Sequence, residues 1–217
     1  MITISDLDYT LLDSSRFKKE CLAPFFDMTA RAWEDQYEQN FKKPRINYSP
    51  RKQLERLSLS DDEITDRLAE LKKYLNQEFN RFLFPRVEET LDYLKAKSEK
   101  LILASFGDLE WQRLKVDCMR VNQQTATQYF DQIILEDKDK AGNEAIRSLK
   151  GREVLLINDK YNESQELLKT FGESARLYLV KGPYSDGEQG AHDDLSEIKK
   201  FLEPEFIKEH KPFRRVA

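Results

Sequence analysis

Four short apolar runs narrow the choice of folds for this chain more than any other feature. They are "KLILAS" (100–105), the centre of "YFDQIILED" (129–137), "EVLLIND" (153–159) and "ARLYLV" (175–180). Between them lie "DLEWQRLKVDCM", "AGNEAIRSLK" and "NESQELLKTFG", whose apolar residues recur at helical spacing. Near-continuous apolar strands alternating with helices require both faces of a sheet to be covered, which means a parallel sheet with helices on either side. Ile2-Thr3-Ile4 is short, apolar and stops at an acidic turn, so it is assigned to the same sheet. The expected fold class is α/β, a three-layer Rossmann-like arrangement.

Between Ser14 and about Phe84 the texture differs. Strand signals are nearly absent and the segment contains no glycine. Ser49-Pro50 reads as an N-cap followed by proline at the first helical position. Ser60-Asp61-Asp62-Glu63 has the form of a capping box. Behind it Ile64, Leu68, Leu71, Leu75, Phe79 and Phe82 form one apolar stripe, expected to pack against other helices. Met28, Trp33, Tyr37 and Phe41 recur at near-helical spacing. The expected organisation is a core formed by 1–13 and 85–217, with a helical module at 14–84.

In an open parallel sheet, ligands bind beyond the carboxyl ends of the strands. The residues there are Asp6, Asp8 and Thr10 after the first run; Ser105, Phe106 and Gly107 after "KLILA"; Lys138 and Lys140 just past "QIILED"; and Asn158-Asp159, with Glu163 four residues on, after "EVLLI". Any one of these is an ordinary turn or helix cap. Together, in that order, they place paired carboxylates, a hydroxyl and a cation along one edge of the sheet.

That order (DxDxT, then a strand ending in serine, then lysine, then a strand ending in an acidic group) resembles the haloacid dehalogenase superfamily of aspartate-nucleophile phosphatases. The resemblance covers about Ile2 to Val180. "FLFPRVEETLDYLK" is similar to the family's return from a helical cap into the core. The resemblance implies that Asp6 is the nucleophile and Asp8 the general acid and base, with the Asp8 backbone carbonyl on the metal. Thr10 steadies the turn, while Ser105, with Phe106, holds phosphoryl oxygens. Lys140 neutralises charge between nucleophile and phosphate, Asp159 is a metal ligand and Glu163 an outer acid. Lys138 and Lys140 are both near the strand end, and Lys140 is favoured because it directly precedes "AGNEAI". Tyr9 stands where the family often has glycine. The implied cofactor is Mg2+, a hard cation typically held by one or two carboxylates with substrate phosphate. The implied activity is hydrolysis of a small phosphorylated metabolite through an aspartyl phosphate.

Other readings are weighed against this one. Carbon–halogen hydrolysis uses the same nucleophile, but Asp8 and Asp159 speak against it. A phosphomutase or phosphotransferase differs only in the acceptor. A receiver-like or non-catalytic scaffold protein combines similar residues, although receivers are smaller and lack the insertion. With 36 basic and 40 acidic residues among 217 and a net charge of -4, nucleic acid is not an expected partner. Cys21 and Cys118 are too isolated for a disulfide framework or zinc site. With no signal-peptide pattern or long apolar stretch, a soluble cytoplasmic protein is expected, monomeric or weakly dimeric. His192, His210, Lys199-Lys200 and Arg214-Arg215 are expected at the surface, Trp33 and Trp111 in packing. Asp13, Arg16 and Lys18 follow the first motif, where contact with a substrate is one reading and a solvated loop the favoured one.

Overall fold

The computed structural model describes residues 1–138, 140–185, 188 and 190–203. Five strands form one parallel sheet: β1 Ile2–Ser5, β2 Lys100–Phe106, β5 Gln132–Glu136, β6 Val154–Asn158 and β7 Ala175–Leu179, in the order β5-β2-β1-β6-β7. β3 (Arg120–Val121) and β4 (Gln124–Thr125) form a separate small antiparallel pair. Ile4 aligns with Ile102 on one side and Leu156 on the other, so β1 is the central strand.

The two-residue period of the strands divides their side chains between two apolar clusters. Leu101, Leu103, Leu155, Ile157 and Tyr178 face one side, where helices Val87–Lys97 and Leu109–Cys118 bury Leu91, Leu94, Trp111 and Val116. Ile102, Ala104, Leu156, Leu177 and Leu179 face the other, against Leu167 and Phe171 of helix Tyr161–Phe171. These are the three expected layers. Helix Tyr161–Phe171 has Lys160 at its N-terminal cap position, and Gly172 ends it at φ 93°.

From 14 to 82 the described chain is helical or looped throughout. A continuous helical stretch runs through Ser14–Phe17, a π-helical Lys18–Leu22 and Ala23–Phe25. Ala30–Tyr37 continues into a second π-helical turn, Glu38–Lys42; Pro50–Glu55, Asp61–Glu78 and Phe79–Phe82 follow. The Ser60–Glu63 capping box forms, and Ile64, Leu71 and Leu75 are buried. The two chain crossings into this insertion run side by side. Asp13 N–H donates to the Phe82 carbonyl and Phe84 N–H to the Leu11 carbonyl, both at 2.9 Å, and Leu12 bridges Leu83 antiparallel.

Chain order reverses at β1: the strands run outward to β2 and β5, then return to β6 and β7 on its other side. Such a switch point leaves a crevice beyond the carboxyl ends of the strands. Among the described residues, no helix is long and apolar enough to cross a membrane. Cys21 and Cys118 are buried free thiols. His192 is packed, not openly exposed as expected: its ring stacks on Tyr178 at 4.1 Å and bonds Glu197. His210 and Arg214-Arg215 lie outside the described residues.

Candidate active site

The crevice brings together residues from three strand ends and one loop. Asp6 follows β1 directly, and its N–H donates to the Ile157 carbonyl at 2.9 Å. Its carboxylate accepts from Lys140 Nζ at 2.6 Å. Lys140 also reaches Glu163 at 2.8 Å. Lys140 is 2 % exposed and Asp6 4 %. Burial alone would push the ammonium toward its neutral form, but Asp6 and Glu163 outweigh it and raise the lysine above its ordinary range. Lys138 is exposed, so the structure separates the two lysines that sequence left as alternatives.

The Asn158 side chain organises the β6 turn. Its Oδ1 accepts from the N–H groups of Asp159 and Lys160, and its Nδ2 donates to Glu163 at 3.1 Å. An aspartate here would lack that donor. The turn presents Asp159, which is fully buried with no hydrogen-bond partner on either carboxylate oxygen among the described residues. Burial, and then the Asp6 charge, push the Asp159 carboxyl up to about 8. A buried carboxylate without partners is costly. The Gly182 backbone lies so close that a Cβ there would stand 3.3 Å from Asp159 Oδ2.

The donor chemistry fits a hard divalent cation: two carboxylates, Asp6 and Asp159, close enough to act on each other electrostatically. Among the described residues no group of three His, Cys, Asp or Glu side chains gathers as a metal cluster.

Asp8 is clasped from three directions. Lys115 Nζ and Gln112 Nε2 (3.1 Å) donate to its Oδ2, and Ser14 Oγ donates to its Oδ1 at 2.9 Å. Burial would raise this carboxyl, but Lys115 overrides it and holds it at about 2. Ser105 is buried and donates to Gln112 Oε1 at 3.1 Å. The Thr10 hydroxyl is buried without a hydrogen-bond partner among the described residues. The turn is held instead by backbone bonds from Thr10, Leu11 and Leu12 to the Leu7 carbonyl. Tyr9 has φ 59°, a left-handed conformation that accounts for the glycine common there in the resembled family.

Two neighbours of this site, Gln112 and Lys115, were not anticipated. Gln112 and Lys115 sit three residues apart on helix Leu109–Cys118, on the stripe that also buries Trp111 and Val116. Polar residues on an otherwise buried stripe were the available signal. Lys18, expected in a solvated loop, instead lines the cavity. Asp13 does cap the helix that starts at Ser14, and Arg16 is exposed against Glu20. The cavity encloses about 300 Å³ between Asp6, Asp8 and the helical insertion, with Phe106 and Trp111 on its core side.

Comparisons with known proteins agree with this architecture. A family model described as haloacid dehalogenase-like hydrolase matches residues 3–170. Among solved structures, a protein from Burkholderia xenovorans LB400 described as a haloacid dehalogenase-like hydrolase superposes with a TM-score of 0.66 at 16% identity, covering 95% of this chain and 97% of that one. CbbY from Rhodobacter sphaeroides, in complex with phosphate, gives 0.58 at 15% identity, with 91% and 96% covered. YfnB from Bacillus subtilis, bound to magnesium, gives 0.55 at 15% identity, with 93% and 97% covered. No curated protein matches the sequence.

Proposed function

Since the chain belongs to the haloacid dehalogenase-like hydrolases, we propose that it is a magnesium-dependent phosphomonoesterase acting on a small phosphorylated metabolite. The observation that carries this is the pairing of Asp6 with a fully buried Lys140, beside an Asp159 whose carboxylate has no hydrogen-bond partner among the described residues. Phosphoryl transfer needs positioning and charge neutralisation above all, and this crevice offers a carboxylate nucleophile already matched to a cation. CbbY with bound phosphate and magnesium-bound YfnB share the fold.

Asp6, Asp159 and the Asp8 carbonyl would hold the magnesium ion, which when bound screens the repulsion between carboxylates and phosphate. An Asp6 oxygen attacks phosphorus and the ester P–O bond breaks, leaving an aspartyl phosphate and an alkoxide. Lys140 stays beside Asp6 and offsets the charge. Asp8 gives the alkoxide its proton. It then takes a proton from water, which attacks phosphorus and releases Asp6.

The clasp on Asp8 bears on the first of these steps. Held by Lys115, Gln112 and Ser14, Asp8 is a carboxylate and has no proton to give. Turning toward the leaving group takes it away from Lys115, and burial, the largest influence on it, then favours the acid form. The helical insertion at 14–84 acts in this reading as a cap that closes the crevice against water.

The test is hydrolysis of an aryl phosphate with and without Mg2+, compared with Asp6→Asn. Metal-dependent turnover lost in the variant, with acid-stable trapping of phosphate on Asp6 absent from it, supports the proposal. Turnover retained by Asp6→Asn refutes it.

A further inference from the structure

The cavity wall carries a cation that the reaction described above does not use. Lys18 belongs to the first helical stretch of the insertion and lines the space facing Asp6 and Asp8. Its Nζ donates to the Tyr9 hydroxyl at 2.7 Å. It lies 4.5 Å from the Tyr37 ring centroid, 5.1 Å from Tyr9 and 5.8 Å from Trp33. The other two cavity lysines have carboxylate partners: Lys115 is bonded to Asp8, and Lys160 lies 3.8 Å from Glu163. Lys18 has none at ion-pair distance among the described residues.

An ammonium group has three donors, and one is committed to Tyr9. Three aromatic faces stabilise the charge but accept no strong hydrogen bond. Burial accordingly pulls Lys18 down to about 8. A cation desolvated in this way, on the wall of a ligand-sized space, is suited to receive an anion. The aromatic faces also mean that a ligand cation would meet a site already filled by Lys18.

Resting on the phosphatase reading, we infer that Lys18 forms a second anion subsite, and that the substrate is a small phosphate ester carrying a second negative group, a carboxylate or phosphoryl, at the end remote from the scissile phosphate. The cavity volume, about 300 Å³, lies at the low end for ligand pockets and restricts this to compact molecules. Lys18 is a specificity residue here; it takes no part in bond breaking.

The experiment separates the subsite from the chemistry by measuring binding without turnover. In the Asp6→Asn protein with Mg2+, calorimetry compares 3-phosphoglycerate, propane-1,3-diol bisphosphate, glycerol 3-phosphate and phosphoethanolamine. These differ mainly in whether the far end is a carboxylate, a phosphoryl, neutral or cationic. One or both probes with an anionic far end should bind about ten- to a hundredfold more tightly than glycerol 3-phosphate, and phosphoethanolamine more weakly. Which of the two binds better identifies the anion. Adding Lys18→Met should collapse the ratio to near one, and Lys18→Arg should restore part of it. Because the ratio is taken within one protein, a loss of folded fraction does not alter it. Equal affinity for charged and neutral probes, or a preference that survives Lys18→Met, overturns the inference while leaving phosphatase activity in the Asp6 enzyme intact. Failure of every probe to bind, together with no turnover of an aryl phosphate, overturns both.

Discussion

Replacing Asp159 by asparagine should stabilise the metal-free protein, although it removes the proposed magnesium ligand. Asp159 is fully buried, its two oxygens have no hydrogen-bond partner among the described residues, and its carboxyl is raised from 3.8 to about 8. The unfolded chain therefore loses this proton at lower pH than the folded one. The resulting destabilisation is absent below about pH 4, grows as pH rises toward 8, and is constant above. At pH 7 it amounts to about 4 kcal/mol by proton linkage. Asparagine carries no charge but leaves a buried amide unpaired, at about 1–3 kcal/mol. The net gain is about 1–3 kcal/mol, or roughly 2–12 °C in Tm for a chain of this size. The assay is thermal unfolding of both proteins in chelator at pH 5 and pH 8, then with Mg2+. The variant should melt higher at pH 8, and the gap should close at pH 5. Saturating Mg2+ should reverse the order, since a ligand at a hundred times its Kd adds about 2.7 kcal/mol to the protein that binds it. A variant less stable than wild type in chelator at pH 8, or a gap independent of pH, would refute the reasoning about burial. An equal gain from Mg2+ in both proteins would remove Asp159 from the ligand set.

Lys115→Met should let the Asp8 carboxyl rise from about 2 by about one to three pH units, since the cation is removed while burial remains; carboxyl 13C NMR titration, assigned against Asp8→Asn, reads this, and an unmoved resonance would show that Gln112 and Ser14 suffice. Asp8→Asn should cost ~100- to 10,000-fold on an alkyl phosphate and much less in the first step on an aryl phosphate, whose leaving group departs without a proton. Phosphoenzyme should then accumulate in a rapid-quench burst; equal losses on both esters would contradict the proposed division of roles. Asn158→Asp should weaken the turn, because Glu163 loses a donor and faces a new charge; a drop in Tm in chelator that is larger at pH 8 than at pH 5 is expected, and an unchanged Tm would count against the role given to the amide.

Asp6, Asp8, Ser105, Lys140 and Asp159 could be picked out in the sequence because each sits at or just after a strand end. There a local pattern, apolar run then polar residue, fixes the direction in which the chain points. The layers were legible for the same reason, since Leu101 and Ile102 must face opposite ways whatever surrounds them. Lys115 had no such marker. A lysine in a helix is ordinarily solvated, and only its partner, 107 positions away, makes it a buried one. Lys18 was misplaced because the chain after Asp13 was expected to be a loop. Instead Asp13 caps a helix that turns Lys18 inward. Tyr9 could be seen to depart from the family pattern, but its positive φ, and its role as a perch for Lys18, depend on the folded turn.

The paired crossings at Leu11–Asp13 and Phe82–Phe84 have a consequence for how the chain finds its fold. Ile4 must meet Ile102 across 98 positions of chain, and closing so long a loop carries an entropic penalty that grows with the logarithm of its length. Once the helical insertion has folded with its two ends side by side, the free chain between those strands shrinks to about 30 residues. That is nearly two halvings, worth about 1 kcal/mol in loop-closure free energy. Helices whose contacts are local can form early, so the insertion would act as a clamp that brings β1 and β2 within reach before the sheet exists. Weakening it, for instance at the buried Leu75, would then slow assembly of a sheet that Leu75 does not belong to.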